Sequence, residues 1–179
     1  MNYILPTLYL IVVSFFLIVL VIFLIKQIIQ KRETEQSLSE LQIKLRDKTA
    51  TSSDYYSIGV IYLSKKLFDQ AILQFRYALK TWDQTDTYGL ANLYNTIGFT
   101  YFEINQYELA IYYYCEAIKI LPNYTIALTN LGYAYEKNRM IQKAVETYTQ
   151  CLMYDSTNKT AKEKLDKLSR VIIPRDDRI

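Results

Sequence analysis

Two hydrophobic patterns divide the chain. Residues 8–25 form a run of Leu, Ile, Val and Phe that only Tyr9 and Ser14 interrupt. Beyond residue 25, apolar residues recur among polar ones at the spacing of amphipathic helices. The 18 residues of the run, at about 1.5 Å each, cover most of a hydrocarbon core of about 30 Å. Because the run also lacks a polar stripe, the pattern predicts a transmembrane anchor within residues 1–25 and a soluble domain after it.

The charges that flank this anchor predict its orientation. Lys26, Lys31 and Arg32 follow it, and no Lys or Arg precedes it. Since basic residues stay on the cytoplasmic side, we expect the soluble part on the cytoplasmic or stromal side. A cleaved signal peptide is the alternative, but it needs a basic start and small residues at its cleavage site. The first alanine is Ala50, so we expect a retained anchor that contacts lipid through residues 3–25.

A polar segment, residues 26–51, separates the anchor from the soluble domain. Leu38, Leu41 and Leu45 recur in it at helical spacing, which predicts a juxtamembrane helical stalk. A self-associating coiled coil is the alternative, although three leucines are fewer than the three or four heptads that such a structure requires. We therefore favour a solvated helix.

The soluble part contains an internal repeat centred on Gly59, Gly98 and Gly132, which are 39 and 34 residues apart. Before each glycine stand an aromatic or Leu at four residues and an aliphatic at one. After it come Tyr at three residues, Ala at twelve, an aromatic at sixteen and a small residue at nineteen. The positions after the glycines are Tyr62, Ala71, Phe75 and Ala78; Tyr101, Ala110, Tyr114, Ala117 and Pro122; and Tyr135, Ala144, Tyr148 and Cys151.

Each unit of this repeat predicts two helices. The glycine makes room for the second helix to approach the first, and the Ala, aromatic and small residue form an apolar stripe on the second helix. Neither stripe can be buried within one pair, so the units should stack into a solenoid. The first spacing exceeds the second by five residues (39 against 34), and we expect these residues to form a protruding loop near 81–89.

The pattern resembles the tetratricopeptide repeat, whose signature has an aromatic, Leu-Gly and Tyr in one helix and Ala, Phe, Ala and Pro around the next. Asp83 and Ser156 stand where its terminal proline is expected. The resemblance implies an all-α fold: one N-terminal transmembrane helix, then an α-solenoid of three helix pairs and a C-terminal capping helix. We place the repeats at about 52–85, 91–124 and 125–158, the capping helix at 159–170 and a flexible tail at 171–179.

The resemblance also implies a concave surface, lined by the first helices, that binds protein segments. The candidate lining residues lie off the packing stripe: Tyr56, Val60 and Leu63; Asn92, Asn95, Phe99 and Phe102; and Ile126, Thr129, Asn130 and Tyr133. This uncharged surface, rich in Asn and aromatic residues, suits hydrogen bonding to an extended backbone and packing of apolar side chains. The alternative is that the asparagines only decorate a solvated face.

The positions that hold a C-terminal carboxylate in co-chaperone members of the family lack the expected residues. Tyr56 and Val60 stand where the first Lys and Asn would be, and Ile126 and Asn130 stand where the later basic pair would be. We therefore do not expect a ligand with an acidic tail.

Composition narrows the chemistry further. The chain has no histidine, which removes the commonest general base and the usual zinc ligand. Cys115 and Cys151 form no CxxC pair, and the repeat glycines leave no phosphate-binding loop. A net charge of +3 is too small to indicate nucleic-acid binding. We therefore predict a protein that is not an enzyme, with no cofactor, no metal, no nucleic acid and no small-molecule substrate.

The whole layout of span, stalk and about three repeats is similar to a family of small thylakoid-anchored tetratricopeptide proteins of plastids and cyanobacteria. That family is implicated in photosystem I assembly. The resemblance implies a membrane-tethered assembly or stability factor on the stromal side, with photosystem I subunits or assembly intermediates as partners. A bacterial envelope or secretion scaffold of the same architecture is the alternative.

Overall fold

The computed structural model describes residues 4–172, in which every helix or strand assigned is an α-helix. It divides into two compact units between Ala50 and Thr51. The helices are α1 Ile4–Arg46, α2 Ser52–Ser64, α3 Phe68–Thr81, α4 Thr87–Glu103, α5 Tyr107–Ile120, α6 Thr125–Lys137, α7 Ile141–Tyr154 and α8 Lys159–Ile172. Of the predicted flexible tail, residues 171–172 continue α8 and the rest lies outside the described residues.

Within its described residues, 4–50, the first unit contains a single helix, α1, of 43 residues. The large apolar side chains of residues 8–25 are almost all exposed. Within the described part of the chain, α1 is the one helix that is long and apolar enough to cross a membrane, with a mean hydropathy of 3.3 over its most apolar window. It continues unbroken through most of the segment predicted as a stalk.

Over residues 51–172, the second unit contains three helix pairs and a final helix. α2 packs on α3, α4 on α5 and α6 on α7, and further contacts join α3 to α4, α5 to α6 and α7 to α8. Each helix therefore packs mainly on its neighbours in sequence, as in a solenoid. The predicted all-α architecture of three pairs and a terminal helix is confirmed.

The extra residues between the first and second repeats lengthen the helix α4, so the predicted protruding loop is wrong. α4 has 17 residues, against 13 in α2 and 13 in α6, and only residues 82–86 connect it to α3. The Asp86 carboxylate accepts hydrogen bonds from the Gly89 backbone N–H at 2.8 Å and from Trp82 Nε1 at 3.2 Å. The N–H groups in the first turn of a helix have no partner within the helix. The Asp86 carboxylate caps α4 by accepting one of them, the N–H of Gly89.

Each repeat glycine lies against the aromatic ring sixteen residues after it. A Cβ on Gly59 would lie 2.4 Å from Phe75 Cε1, and one on Gly132 would lie 2.6 Å from Tyr148 Cε1. Gly98 meets the ring of Tyr114 in the same way, at 2.8 Å. Because all three rings are buried, the glycines set how closely the two helices of each pair approach.

The turns inside the three pairs also repeat. Lys66, Asn105 and Arg139 adopt left-handed conformations, with φ of 59°, 61° and 60°. The backbone N–H groups of the next residues, Leu67, Gln106 and Met140, donate to the carbonyls of Tyr62, Tyr101 and Tyr135 at 2.9 Å. Such a bond closes a helix with the geometry of a Schellman motif, in which glycine is the usual left-handed residue.

A chain of polar contacts ties α8 to the last pair. The Tyr148 hydroxyl donates to Glu136 Oε1 at 2.5 Å, and Lys164 Nζ donates to Glu136 Oε2 at 3.2 Å. Burial, followed by the hydrogen bond to Glu136, raises the pKa of Tyr148 well above its usual value. The Glu136 carboxylate therefore links a residue of α7 to a residue of α8.

Gly59→Ala should destabilise the fold, although alanine is the better helix former by about 1 kcal/mol. The added methyl group overpacks the buried ring of Phe75, at a cost of about 1–3 kcal/mol. We expect a net loss of up to about 2 kcal/mol in the free energy of unfolding, measured by urea denaturation followed by circular dichroism. In a Phe75→Leu background the same substitution should cost less. A gain in stability from Gly59→Ala alone would contradict the contact.

Arg139→Gly should stabilise the fold by about 0.5–1 kcal/mol, because glycine adopts a positive φ without the steric cost that other L-residues incur. Asn105→Gly is the matched control and should gain less, since asparagine tolerates the left-handed region. Thermal unfolding measures both variants. Equal gains at the two positions would show that backbone strain at Arg139 is not the cause.

Raising the pH above about 10 should weaken the fold through Tyr148. The folded protein keeps this proton, whereas an unfolded tyrosine loses it near 10.0. The contribution of Tyr148 to the free energy of unfolding is therefore complete below the pKa of the unfolded tyrosine. Above that pKa it falls by up to about 1.4 kcal/mol per pH unit.

Tyr148→Phe tests this pH dependence. The variant should be about 1.5–3 kcal/mol less stable than the wild type near neutral pH, because the hydrogen bond to Glu136 is lost. Urea denaturation at pH about 8 and about 10.5 should show that difference shrinking as pH rises. A difference that stays constant would contradict the raised pKa.

Candidate protein-binding surface

The predicted lining residues lie on α2, α4 and α6 at repeated positions. We define the groove face as the residues six and three before, and one and four after, each repeat glycine. Its members are Ser53, Tyr56, Val60 and Leu63; Asn92, Asn95, Phe99 and Phe102; and Ile126, Thr129, Tyr133 and Glu136. Side-chain contacts between adjacent first helices join Tyr56 to Asn92 and Phe102 to Tyr133. Asn130, also predicted to line the surface, lies beside this face and bonds to Asn95.

Three polar residues of this face, Tyr56, Asn92 and Asn95, form hydrogen bonds with each other or with residues beside the face. Asn92 Nδ2 donates to the Tyr56 hydroxyl at 3.0 Å, and Asn92 Oδ1 accepts from the Tyr124 hydroxyl at 3.0 Å. Asn130 Nδ2 donates to Asn95 Oδ1, also at 3.0 Å. We call these five residues the polar ladder. It joins α2 to α4 and α4 to the start of α6, and so it contributes to the packing of successive repeats.

The burial of Asn95 differs from that of a solvated groove residue. Its side chain is only 8% exposed, and its partner Asn130 is half-buried. The prediction that both line the surface for an extended backbone therefore changes: the Asn95 amide serves the contact between α4 and α6. Burial of a polar group is stable only with such a partner.

The apolar residues of the face remain accessible. Val60, Phe99 and Tyr133 each follow a repeat glycine directly, and they are 38%, 40% and 36% exposed. We call these three residues the apolar row. The Phe102 and Tyr133 rings lie 5.2 Å apart, at a packing distance for aromatic pairs. Ile126, on the same face, is 55% exposed.

The one negative charge of the groove face is neutralised by a neighbouring lysine. Glu136 is the one charged residue at its defined positions, and both of its carboxylate oxygens are bonded, to Tyr148 and to Lys164. Lys164 Nζ also lies 4.2 Å from the centroid of the Tyr133 ring, a cation–π contact. The surface that a partner meets is therefore largely apolar.

Sequence reasoning missed two of these contacts. Tyr124 directly precedes α6 and completes the polar ladder, and Glu136 receives Lys164 from α8. Glu136 could have been found, because it is 34 residues after Phe102, the spacing between the second and third glycines. Nothing in the sequence pattern indicated the role of Tyr124.

Features of catalysis are not evident on this face. Cys151 is buried and Cys115 half-buried. Burial raises the pKa of Tyr135 to about 12, with a further contribution from nearby Cys115. Among the described residues, no group of three or more Cys, Asp or Glu is placed to hold a metal ion.

Family models and solved structures identify the repeats. A tetratricopeptide repeat model matches residues 126–158, and a second TPR repeat model matches residues 98–138. The first TPR domain of Spaghetti (RPAP3), solved with the HSP90 peptide SRMEEVD, aligns with a TM-score of 0.62 and 20% identity. It covers 68% of this chain and 93% of that one, and it shows a shared fold.

Comparison with related sequences shows which family of tetratricopeptide repeat proteins this is. Protein ycf37 of Guillardia theta is 49% identical over 179 residues, which is all of both chains. The tetratricopeptide repeat domain-containing protein PYG7, chloroplastic, of Arabidopsis thaliana is 31% identical over 146 residues, covering 82% of this chain and 48% of that protein. The chain thus belongs to the ycf37 family of tetratricopeptide repeat proteins.

Proposed function

We propose that this protein is a non-catalytic, membrane-tethered scaffold that supports the assembly or stability of photosystem I. The apolar row carries the proposal: three equivalent, partly exposed side chains lie on a face with no uncompensated charge. Exposed apolar surface arranged in this way is typical of protein-binding sites. The chloroplastic relative supports a plastid location, and the resemblance in layout supports photosystem I as the partner.

The anchor supports a thylakoid scaffold. α1 is apolar and long enough to cross a membrane, and Lys26, Lys31 and Arg32 follow its apolar part. The positive-inside rule then favours the repeats on the stromal side. Confinement to the membrane raises the effective concentration of the repeats near membrane-bound assembly intermediates. We therefore propose a single-pass thylakoid protein whose partners are photosystem I subunits or their assembly intermediates.

The same face argues against a carboxylate-tailed ligand. The solved neighbour carries the peptide SRMEEVD, whose last residue is Asp. In this chain, Tyr56 bonds to Asn92, and Val60 and Ile126 are apolar, so these positions offer no positive charge to a terminal carboxylate. The proposed partner segment binds through apolar side chains instead.

Phe99→Asp should reduce capture of photosystem I subunits at least tenfold, because it places an unpaired charge within an apolar contact. The measurement is co-purification with the tagged full-length protein from mildly solubilised photosynthetic membranes. Tyr112→Asp is the control: Tyr112 lies on α5, off the groove face, and is 55% exposed, so capture should persist. Equal capture by both variants would show that the binding site lies elsewhere on the protein. Recovery of the protein away from photosynthetic membranes would contradict the proposed function.

A further inference from the structure

We infer that the groove face takes its partner as an α-helix, with an uncharged apolar side that contacts the apolar row at intervals of about seven residues. The inference rests on the proposed function only in taking this face as the binding surface. It concerns the conformation and the side-chain pattern of the partner segment, which the proposed function leaves open.

The polar ladder argues against an extended segment. A strand laid on the face would need partners for its backbone N–H and C=O groups, since burying each one unpaired weakens binding. Asn95 is nearly buried and bonds to Asn130, and Asn92 is engaged through both Nδ2 and Oδ1. A helix satisfies its own backbone and needs only apolar side chains on the face.

The spacing of the apolar row also fits a helix. Val60, Phe99 and Tyr133 lie at one equivalent position on α2, α4 and α6, and the axes of packed helices are about 8–10 Å apart. Seven residues of a helix rise about 10.5 Å and return to nearly the same side. In a strand, three residues cover about 10 Å, but they point to opposite sides. Same-side residues of a strand lie about 7 or 13 Å apart, so a helix matches a spacing of about 10 Å better than a strand does.

Charge fixes the chemistry of the partner helix. On the groove face, the Glu136 carboxylate is already bonded to Lys164 and Tyr148. Lys137 Nζ, 5.3 Å from the centroid of the Tyr133 ring, is a cation beside the α6 end of the face. A charged side chain buried next to Val60 or Phe99 would lack a counterion among the residues of the face. The complementary surface is one side of an amphipathic helix, with apolar residues at positions i, i+7 and i+14 and its charged residues turned towards solvent.

Site-directed photo-crosslinking in the full-length, membrane-embedded protein tests this inference. A photoreactive amino acid replaces Val60, Phe99 or Tyr133 in three separate variants, and photosynthetic membranes from each are irradiated. Mass spectrometry then identifies the partner residue joined to each position. We expect all three positions to join one partner segment, at residues about seven apart. A fourth variant with the group at Tyr112 is the control and should not join that segment.

The outcomes distinguish a failure of the helix inference from a failure of the proposed function. Crosslinks two to four residues apart, or in unrelated segments, would overturn the helix inference, as would a lack of crosslinks from all three positions. Spacings of about seven within a protein outside photosystem I would support the helix and refute the photosystem I assignment. As a second check, a proline placed mid-segment should weaken capture about a hundredfold, whereas alanine there should leave capture near the wild-type level.

Discussion

The contact between a glycine and an aromatic ring determines the geometry of every repeat. Gly59, Gly98 and Gly132 lie against buried rings of the following helices, where no side chain would fit. The next residue on each first helix turns about 100° away from that contact. Val60 and Phe99, at this position, are therefore partly exposed. The packing signature thus also sets the register of the surface proposed to bind a partner.

The polar side chains of that surface form hydrogen bonds between the helices of the fold. Asn92 and Asn95 connect α4 to its neighbours, and Glu136 connects α7 to α8 through Tyr148 and Lys164. Because these groups already have partners, recognition falls to the exposed apolar side chains. This division favours a partner that satisfies its own backbone, and it separates this face from carboxylate-binding relatives of the same fold.

The helices were predictable because their signals are local and repeated. Glycine spacing and the Ala-aromatic stripe predicted the three pairs, and the apolar run of residues 8–25 predicted the membrane-spanning part of α1. The extra turn of α4 was missed because it depends on Asp86, whose carboxylate meets both Gly89 and Trp82. The pairing of Asn95 with Asn130 was missed for a similar reason. Periodicity places both residues on neighbouring helices, but only three-dimensional packing shows that their amides meet.

The amount of assembled photosystem I in cells whose sole copy of this protein carries Phe99→Asp tests the central claim most directly. The substitution changes a half-exposed side chain of the groove face and leaves the glycine contacts intact. The account predicts that assembled photosystem I falls while the variant protein accumulates in thylakoids at its normal level. Normal photosystem I in such cells would contradict the account, because the groove face would then not be required for assembly.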